Sequence, residues 1–142
     1  VEGEKVITFY TAGPWHDRAI VKGVRDKLVE ADYKVNSRWL DIPENPPEGM
    51  SYEEYQQMQA RNDLADVVSA DVLMYVNTGY KSEGKATELG VAIAMLKPII
   101  IIGDRSNNIF LNLGMPCFAD IDAAIDFLKE EEYKEMLANR GA

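Results

Sequence analysis

Three side chains in this sequence have the chemistry to make and break a bond at a polarised carbon: Glu88, Asp63 and Tyr10. Residues 87–96 read as a short helix that Lys97-Pro98 stops, which places Glu88 in its first turn, just after a Gly-containing loop over 77–84. A carboxylate there feels the positive end of the helix dipole, worth about 0.3–1 kcal/mol, and can accept backbone N–H bonds that lack a partner inside the helix. Both effects favour the ionised form that a carboxylate nucleophile requires. A glutamate in a first turn is also an ordinary helix-end group, and position alone leaves both roles open. Asp63 lies in the middle of a helix read over 52–69, at the boundary of a stripe in which Tyr55, Met58 and Leu64 face the core. From there a second carboxyl group can handle a proton at the same site; otherwise it is a solvated helical aspartate. Tyr10, near the end of the first strand, is followed by Gly13, Pro14 and Trp15. A hydroxyl, bare backbone and a stacking surface for a flat ring thus meet at one turn, although both aromatics fit an edge-of-core role equally well.

The other reactive groups mostly narrow the field. The run Gly79-Tyr80-Lys81-Ser82-Glu83-Gly84-Lys85 has the glycines of a phosphate loop without its spacing. Lys81, Ser82 and Lys85 could hold a single phosphate, but the lysines read first as solvated loop charges. No Gly-x-Gly-x-x-Gly follows the first strand, so a dinucleotide cofactor is not expected. His16, the single histidine, has no nucleophile partner in sequence and reads as a loop residue lining the pocket. Cys117, the single cysteine, reads as a small buried hydrophobe. One histidine and one cysteine argue against a metal site built on them within one chain, and one cysteine excludes an internal disulfide. The formal charge of −9, from 15 Lys and Arg against 24 Asp and Glu, argues against nucleic acid or an anionic membrane as partner.

The elements that must position these groups alternate. Strands are expected at 6–11, 33–40, 72–76, 99–102 and 115–118. Helices are expected at 15–31, with Ile20, Val24 and Leu28 facing inward, then at 52–69, at 87–96 and from Asp120 into a charged tail. Ser51 and Glu54 form a capping box, three prolines over 42–49 forbid a regular element, and a helical turn is possible at 108–112. No apolar run is long enough to span a bilayer, and the start at Val1 lacks a signal-peptide pattern, so a cytoplasmic location is expected. The 142 residues suit one domain. Strands alternating with helices predict a single doubly wound α/β domain, flavodoxin-like or Rossmann-like, with a five-stranded mostly parallel sheet. In such a fold the loops after Thr11, Leu40, Val76 and Ile102 share the edge where ligands bind.

Taken together, these residues resemble the nucleoside 2-deoxyribosyltransferase family. Three blocks carry the resemblance: Tyr10-Thr11-Ala12-Gly13-Pro14; Asn62-Asp63-Leu64 with Ala70-Asp71-Val72; and Gly84-Lys85-Ala86-Thr87-Glu88-Leu89-Gly90-Val91-Ala92. Asn107-Asn108-Ile109-Phe110 also looks like the family's loop after the fourth strand, and the likeness spans roughly residues 6–128. The resemblance implies a covalent, retaining transfer of a deoxyribosyl group between nucleobases, with 2′-deoxynucleosides and free bases as partners and no cofactor or metal. Glu88 matches the nucleophile, Tyr10 the residue that orients it, and Asp63 the carboxylate that contacts and protonates the departing base. Gly13, Trp15, Ser82 and Gly84 would line the substrate site. Asn108 matches an asparagine that reaches a neighbouring subunit's site, which implies a homo-oligomer, in this family typically a hexamer built from dimers.

One departure bears on the substrate. Where many of the transferases carry an aspartate two residues before the loop glycine, this chain has Ser82. A serine at that place resembles the branch that hydrolyses 2′-deoxynucleoside 5′-monophosphates, while the bulky Pro14-Trp15 turn resembles the transferases. A non-catalytic nucleotide-binding module is the third reading. Tyr10, Asp63 and Glu88 together speak against it, because a binder needs no carboxylate aimed at an anomeric carbon.

Overall fold

The computed structural model describes residues 6–130. The first five residues and the charged tail beyond the last helix lie outside it. Five strands, β1 (Thr8–Ala12), β2 (Lys34–Val35), β3 (Val72–Asn77), β4 (Ile99–Gly103) and β5 (Cys117–Phe118), form one sheet in the order β2-β1-β3-β4-β5. Every pairing is parallel, and three of the crossovers carry a helix, α1 (Arg18–Glu30), α2 (Tyr52–Ser69) and α3 (Glu83–Ala94); a 3-10 turn at Ile109–Asn112 lies between β4 and β5, and α4 (Ile121–Leu128) follows β5. This is the doubly wound five-stranded fold that the alternation predicts, in the flavodoxin-like order. The four isoleucines of β4 and all six residues of β3 are buried, as strands covered on both faces should be. Among the described residues no helix is long and apolar enough to cross a membrane.

Helix ends follow local chemistry. The Ser51 hydroxyl accepts from the Glu54 N–H at 3.1 Å and the Glu54 carboxylate accepts from the Ser51 N–H at 3.4 Å, so the capping box forms as expected. Asp120 caps α4 in the same manner, accepting from the Ala123 N–H at 2.9 Å. Two glycines allow close approach. A Cβ on Gly13 would lie 2.4 Å from Val21 Cγ2 of α1, and one on Gly103, at φ +112°, would lie 2.3 Å from the backbone oxygen of Asn77.

Several boundaries and buried faces differ from the sequence reading. The second strand is two residues long rather than eight, and a 3-10 turn occupies Arg38–Asp41. Side chains take over its ladder: the Thr11 N–H donates to Ser37 Oγ at 2.7 Å, and Trp39 Nε1 donates to the Thr11 carbonyl at 2.9 Å. On α1 the buried stripe is Val21, Val24 and Leu28, leaving Ile20 exposed; on α2, Leu64 is exposed and Tyr55, Asp66 and Val67 are buried. The third helix starts at Glu83 with Ser82 as its cap, four residues earlier than periodicity suggests. Gly84 conceals that first turn, because glycine reads as loop.

Candidate active site

The carboxyl ends of β1 and β3 open onto a cleft of about 150 Å³ between α2 and α3. Gly13, Trp15, Asp63, Ser82, Gly84 and Glu88 line it, joined by Trp39, Ile42, Gln59 and Lys85. Residues from the turn after β1 and from α3 therefore meet at the edge the fold class designates.

Glu88 in the cleft wall is paired with Tyr10, which lies behind the wall and does not itself line the cleft. Tyr10 points from β1 and is fully buried, and its hydroxyl donates a hydrogen bond to Glu88 Oε2. Glu88 is 8% exposed and burial is the main force on it, pushing its carboxyl up to about 8. The Tyr10 hydrogen bond acts the other way, favouring the carboxylate, and the negative field of Asp63 adds to the rise. Tyr10 is raised in turn by burial, by Glu88 and by Asp63, so its hydroxyl keeps its proton and acts as a donor. Burial also lifts Asp63, half-buried on α2, to about 6; Asp66 adds to this and Arg38 opposes it.

These facts correct the expectation of a resting carboxylate sustained by a helix dipole. Glu88 is the sixth residue of α3, in its second turn, where the field of the terminus has largely decayed. Desolvation dominates there, and Glu88 holds a proton near neutral pH until something compensates its charge.

The walls are aromatic on one side. Trp15 and Trp39 stand 6.3 Å apart with their rings tilted by 40°. The Arg18 guanidinium lies 4.0 Å above the Trp15 ring and donates to the Ile42 carbonyl at 2.7 Å, tying α1 to the proline-rich segment. Below Asp63, Arg38 grips the buried Asp66 through Nε and Nη2, the shortest contact being 2.8 Å.

Two residues, His16 and Lys85, stand elsewhere than the sequence suggests. His16 is not in the cleft wall; it stacks on Tyr80 at 4.2 Å with the rings 6° from parallel. Lys85 is not a solvated charge. It is 4% exposed, its Nζ donates to Asn77 Oδ1 and to the Tyr80 carbonyl at 3.3 Å each, and it sits 4.9 Å from the Tyr75 ring centroid. Burial lowers its pKa. Asn108 lies outside the cleft of its own chain, where its Oδ1 caps the 3-10 turn Ile109–Asn112 through the Phe110 N–H at 2.9 Å. Cys117 is only partly buried.

Sequence reasoning missed Trp39 and Gln59 as cleft residues, while Ile42 stands in the loop after Leu40 that the fold class places at this edge. Trp39 was concealed by reading a strand through 33–40. Gln59 carried a usable signal, since it precedes Asp63 by four positions and so shares its helical face.

Comparison with known proteins agrees with this architecture. The chain is similar to a 2-deoxyribosyltransferase from Bacillus psychrosaccharolyticus, with a TM-score of 0.67 and 21% identity over 89% of this chain and 95% of that one. It is similar to one from Leishmania mexicana, with a TM-score of 0.60 and 19% identity over 86% of this chain and 96% of that one. A CMP N-glycosidase from Clostridium botulinum shares the fold at a TM-score of 0.55 and 16% identity, over 85% of this chain and 97% of that one. No curated protein matches the chain by sequence. The family model described as Nucleoside 2-deoxyribosyltransferase matches residues 9–135, a span that contains Tyr10, Asp63 and Glu88. The chain belongs to the nucleoside 2-deoxyribosyltransferase family.

Proposed function

We propose that the protein exchanges the base of a 2′-deoxynucleoside through a covalent deoxyribosyl–Glu88 intermediate. The observation that carries this reading is the buried Tyr10–Glu88 hydrogen bond, with Asp63 close enough to raise both groups. A Glu88 carboxylate oxygen attacks the anomeric carbon and the bond to the base nitrogen breaks, through an oxocarbenium-like transition state. Asp63 gives its proton to the departing base. A second base then attacks the same carbon from the face the first one left, the ester to Glu88 breaks, and Asp63 takes up a proton. Two inversions leave the configuration retained. Tyr10 steadies the carboxylate before attack and after release, which offsets part of the burial penalty on its charge.

A second reading, a 2′-deoxynucleoside 5′-monophosphate N-glycosidase, is favoured by one observation: Ser82, Gly84 and Lys85 line the cleft at the N-terminus of α3. Ser82 Oγ accepts from the Lys85 N–H at 3.1 Å, which leaves its hydroxyl proton available to an anion. Against it, Trp15 and Trp39 build a wall suited to a flat ring.

Two parallel incubations separate the readings. One holds 2′-deoxyinosine and free adenine; the other holds a 2′-deoxynucleoside 5′-monophosphate alone. New 2′-deoxyadenosine in the first supports the transferase, and free base only in the second supports the hydrolase. Glu88→Gln should abolish turnover in either case, while a non-catalytic binder would keep its affinity. We also propose that the working form, in the cytoplasm, is a homo-oligomer built from dimers, as a hexamer, in which Asn108 contributes to a neighbour's site. Ile109, Phe110 and Leu113 beside it are exposed and apolar, as a buried subunit contact would require.

A further inference from the structure

The polar groups of the cleft are not equally free. Ser82, Lys85 and Glu88 are all hydrogen-bonded within the chain. Gln59 and Asp63, on the cleft face of α2, make no side-chain hydrogen bond among the described residues. They stand four residues apart, so the axial rise between them is about 6 Å. Asp63 is the end nearer the chemistry, since its charge acts on both Tyr10 and Glu88. Gln59 therefore lies one helical turn further from it, in the same cleft that Trp15, Trp39 and Ile42 line. A planar base stacked against these walls, with its glycosidic nitrogen towards Glu88 and Asp63, would direct its far edge at Gln59.

We propose that Gln59 is a specificity-determining residue that reads the exocyclic edge of the nucleobase and allows one site to accept both amino- and oxo-substituted bases. A carboxamide carries one acceptor oxygen and two donor hydrogens. An amino-substituted base presents a donor beside a ring-nitrogen acceptor, and an oxo-substituted base presents an acceptor beside a ring N–H donor. Rotation of the carboxamide by half a turn serves either arrangement, which no carboxylate, ammonium or hydroxyl in the cleft does as well. An unsubstituted purine offers only half of the pair.

This inference rests on the base-exchange reading of the cleft, and its test is built to fail separately. With saturating 2′-deoxynucleoside donor, wild type and Gln59→Leu are compared on adenine, hypoxanthine and unsubstituted purine as acceptors. Wild type is expected to use adenine and hypoxanthine with kcat/KM about tenfold above purine. In Gln59→Leu that preference should fall to within about twofold, mainly through KM, because the contact is already made in the bound base. A tenfold preference that survives Gln59→Leu overturns the proposal. A thermal melt matching wild type confirms that the variant folds, as expected where a partly exposed side chain with no hydrogen bond is replaced.

Binding supplies the independent arm. Trp15 and Trp39 are the only tryptophans in the chain and both border the cleft, so their fluorescence reports base binding without turnover. If wild type turns over nothing but adenine still quenches more tightly than purine, and Gln59→Leu removes the difference, the exchange reading fails while the role of Gln59 stands. Equal affinities for adenine and purine in wild type, or no quenching by any base, overturn that role.

Discussion

Glu88 and Asp63 carry their protons in the order opposite to the one the proposed exchange needs. Burial places Glu88 at about 8 and Asp63 at about 6, yet the proposed attack requires Glu88 ionised and Asp63 protonated. The productive form is thus a minor one. The profile of kcat/KM should rise up to about pH 6, stay flat to about 8 and fall beyond, measured as initial rates of exchange. Asp63→Asn removes both the need for a protonated aspartate and the Asp63 field on Glu88, so the slower variant should keep rising past pH 6 and level off somewhat below 8. Stability follows the same group. Because the folded pKa of Glu88 lies above its ordinary 4.5, the native state holds an extra proton between 4.5 and about 8, and stability falls as pH rises across that window. Glu88→Gln should therefore stabilise the protein by on the order of 2 kcal/mol at pH 8.5 and change little at pH 4.5 in thermal melts. The same substitution is thus expected both to abolish turnover and to raise the melting temperature above neutral pH. At this scale the sequence suggested that Tyr10, Asp63 and Glu88 belong together, and the fold does bring them together, but the charge state of Glu88 was not legible. Helix position suggested an anion; desolvation by side chains distant in sequence reverses that.

The elements position these groups through tight joints, and the joints make separate predictions. Gly13 allows the end of β1 to press against Val21 of α1, where a Cβ would approach to 2.4 Å. Gly13→Ala should cost about 1–3 kcal/mol in chemical denaturation and lower activity as well, since the displaced turn carries Trp15 into the cleft wall. Ser82→Ala removes the cap of α3 and should cost about 1 kcal/mol; in a transferase, exchange on nucleosides should be kept within a few-fold. The strong elements were readable because pattern and propensity agree in them: four isoleucines in β4, and Ser51 with Glu54 at the head of α2. Others were not. The second strand breaks after Val35 because Ser37 and Trp39 side chains satisfy the Thr11 backbone, a bond pattern no local window contains. Lys85 looked solvated from its charged, glycine-flanked surroundings. Its burial depends on Asn77, Tyr75 and Tyr80 folding over it.

For the whole molecule, the exposed apolar residues beside Asn108 and the proposed shared site give a test that needs no structure. Glu88→Gln and Asn108→Ala subunits, each inactive or nearly so, are unfolded together, refolded as a mixture and assayed. If the site is shared between subunits, about a quarter of wild-type activity should return, since random pairing leaves that share of sites intact. No recovery, or an active monomer on a sizing column, counts against the shared site. The sequence by itself determined the fold class, because hydrophobic periodicity and helix caps are local and alternate in an order that only a parallel sheet with crossover helices satisfies. It also determined which residues could do the chemistry. The tertiary structure alone decided the state in which it holds them: the hydrogen bond between Tyr10 and Glu88, the rise in the Glu88 pKa, the burial of Lys85, and a Gln59 carboxamide with no hydrogen bond among the described residues. Each depends on the dielectric and the partners around a side chain, and these are set by residues that become neighbours only when the chain has folded.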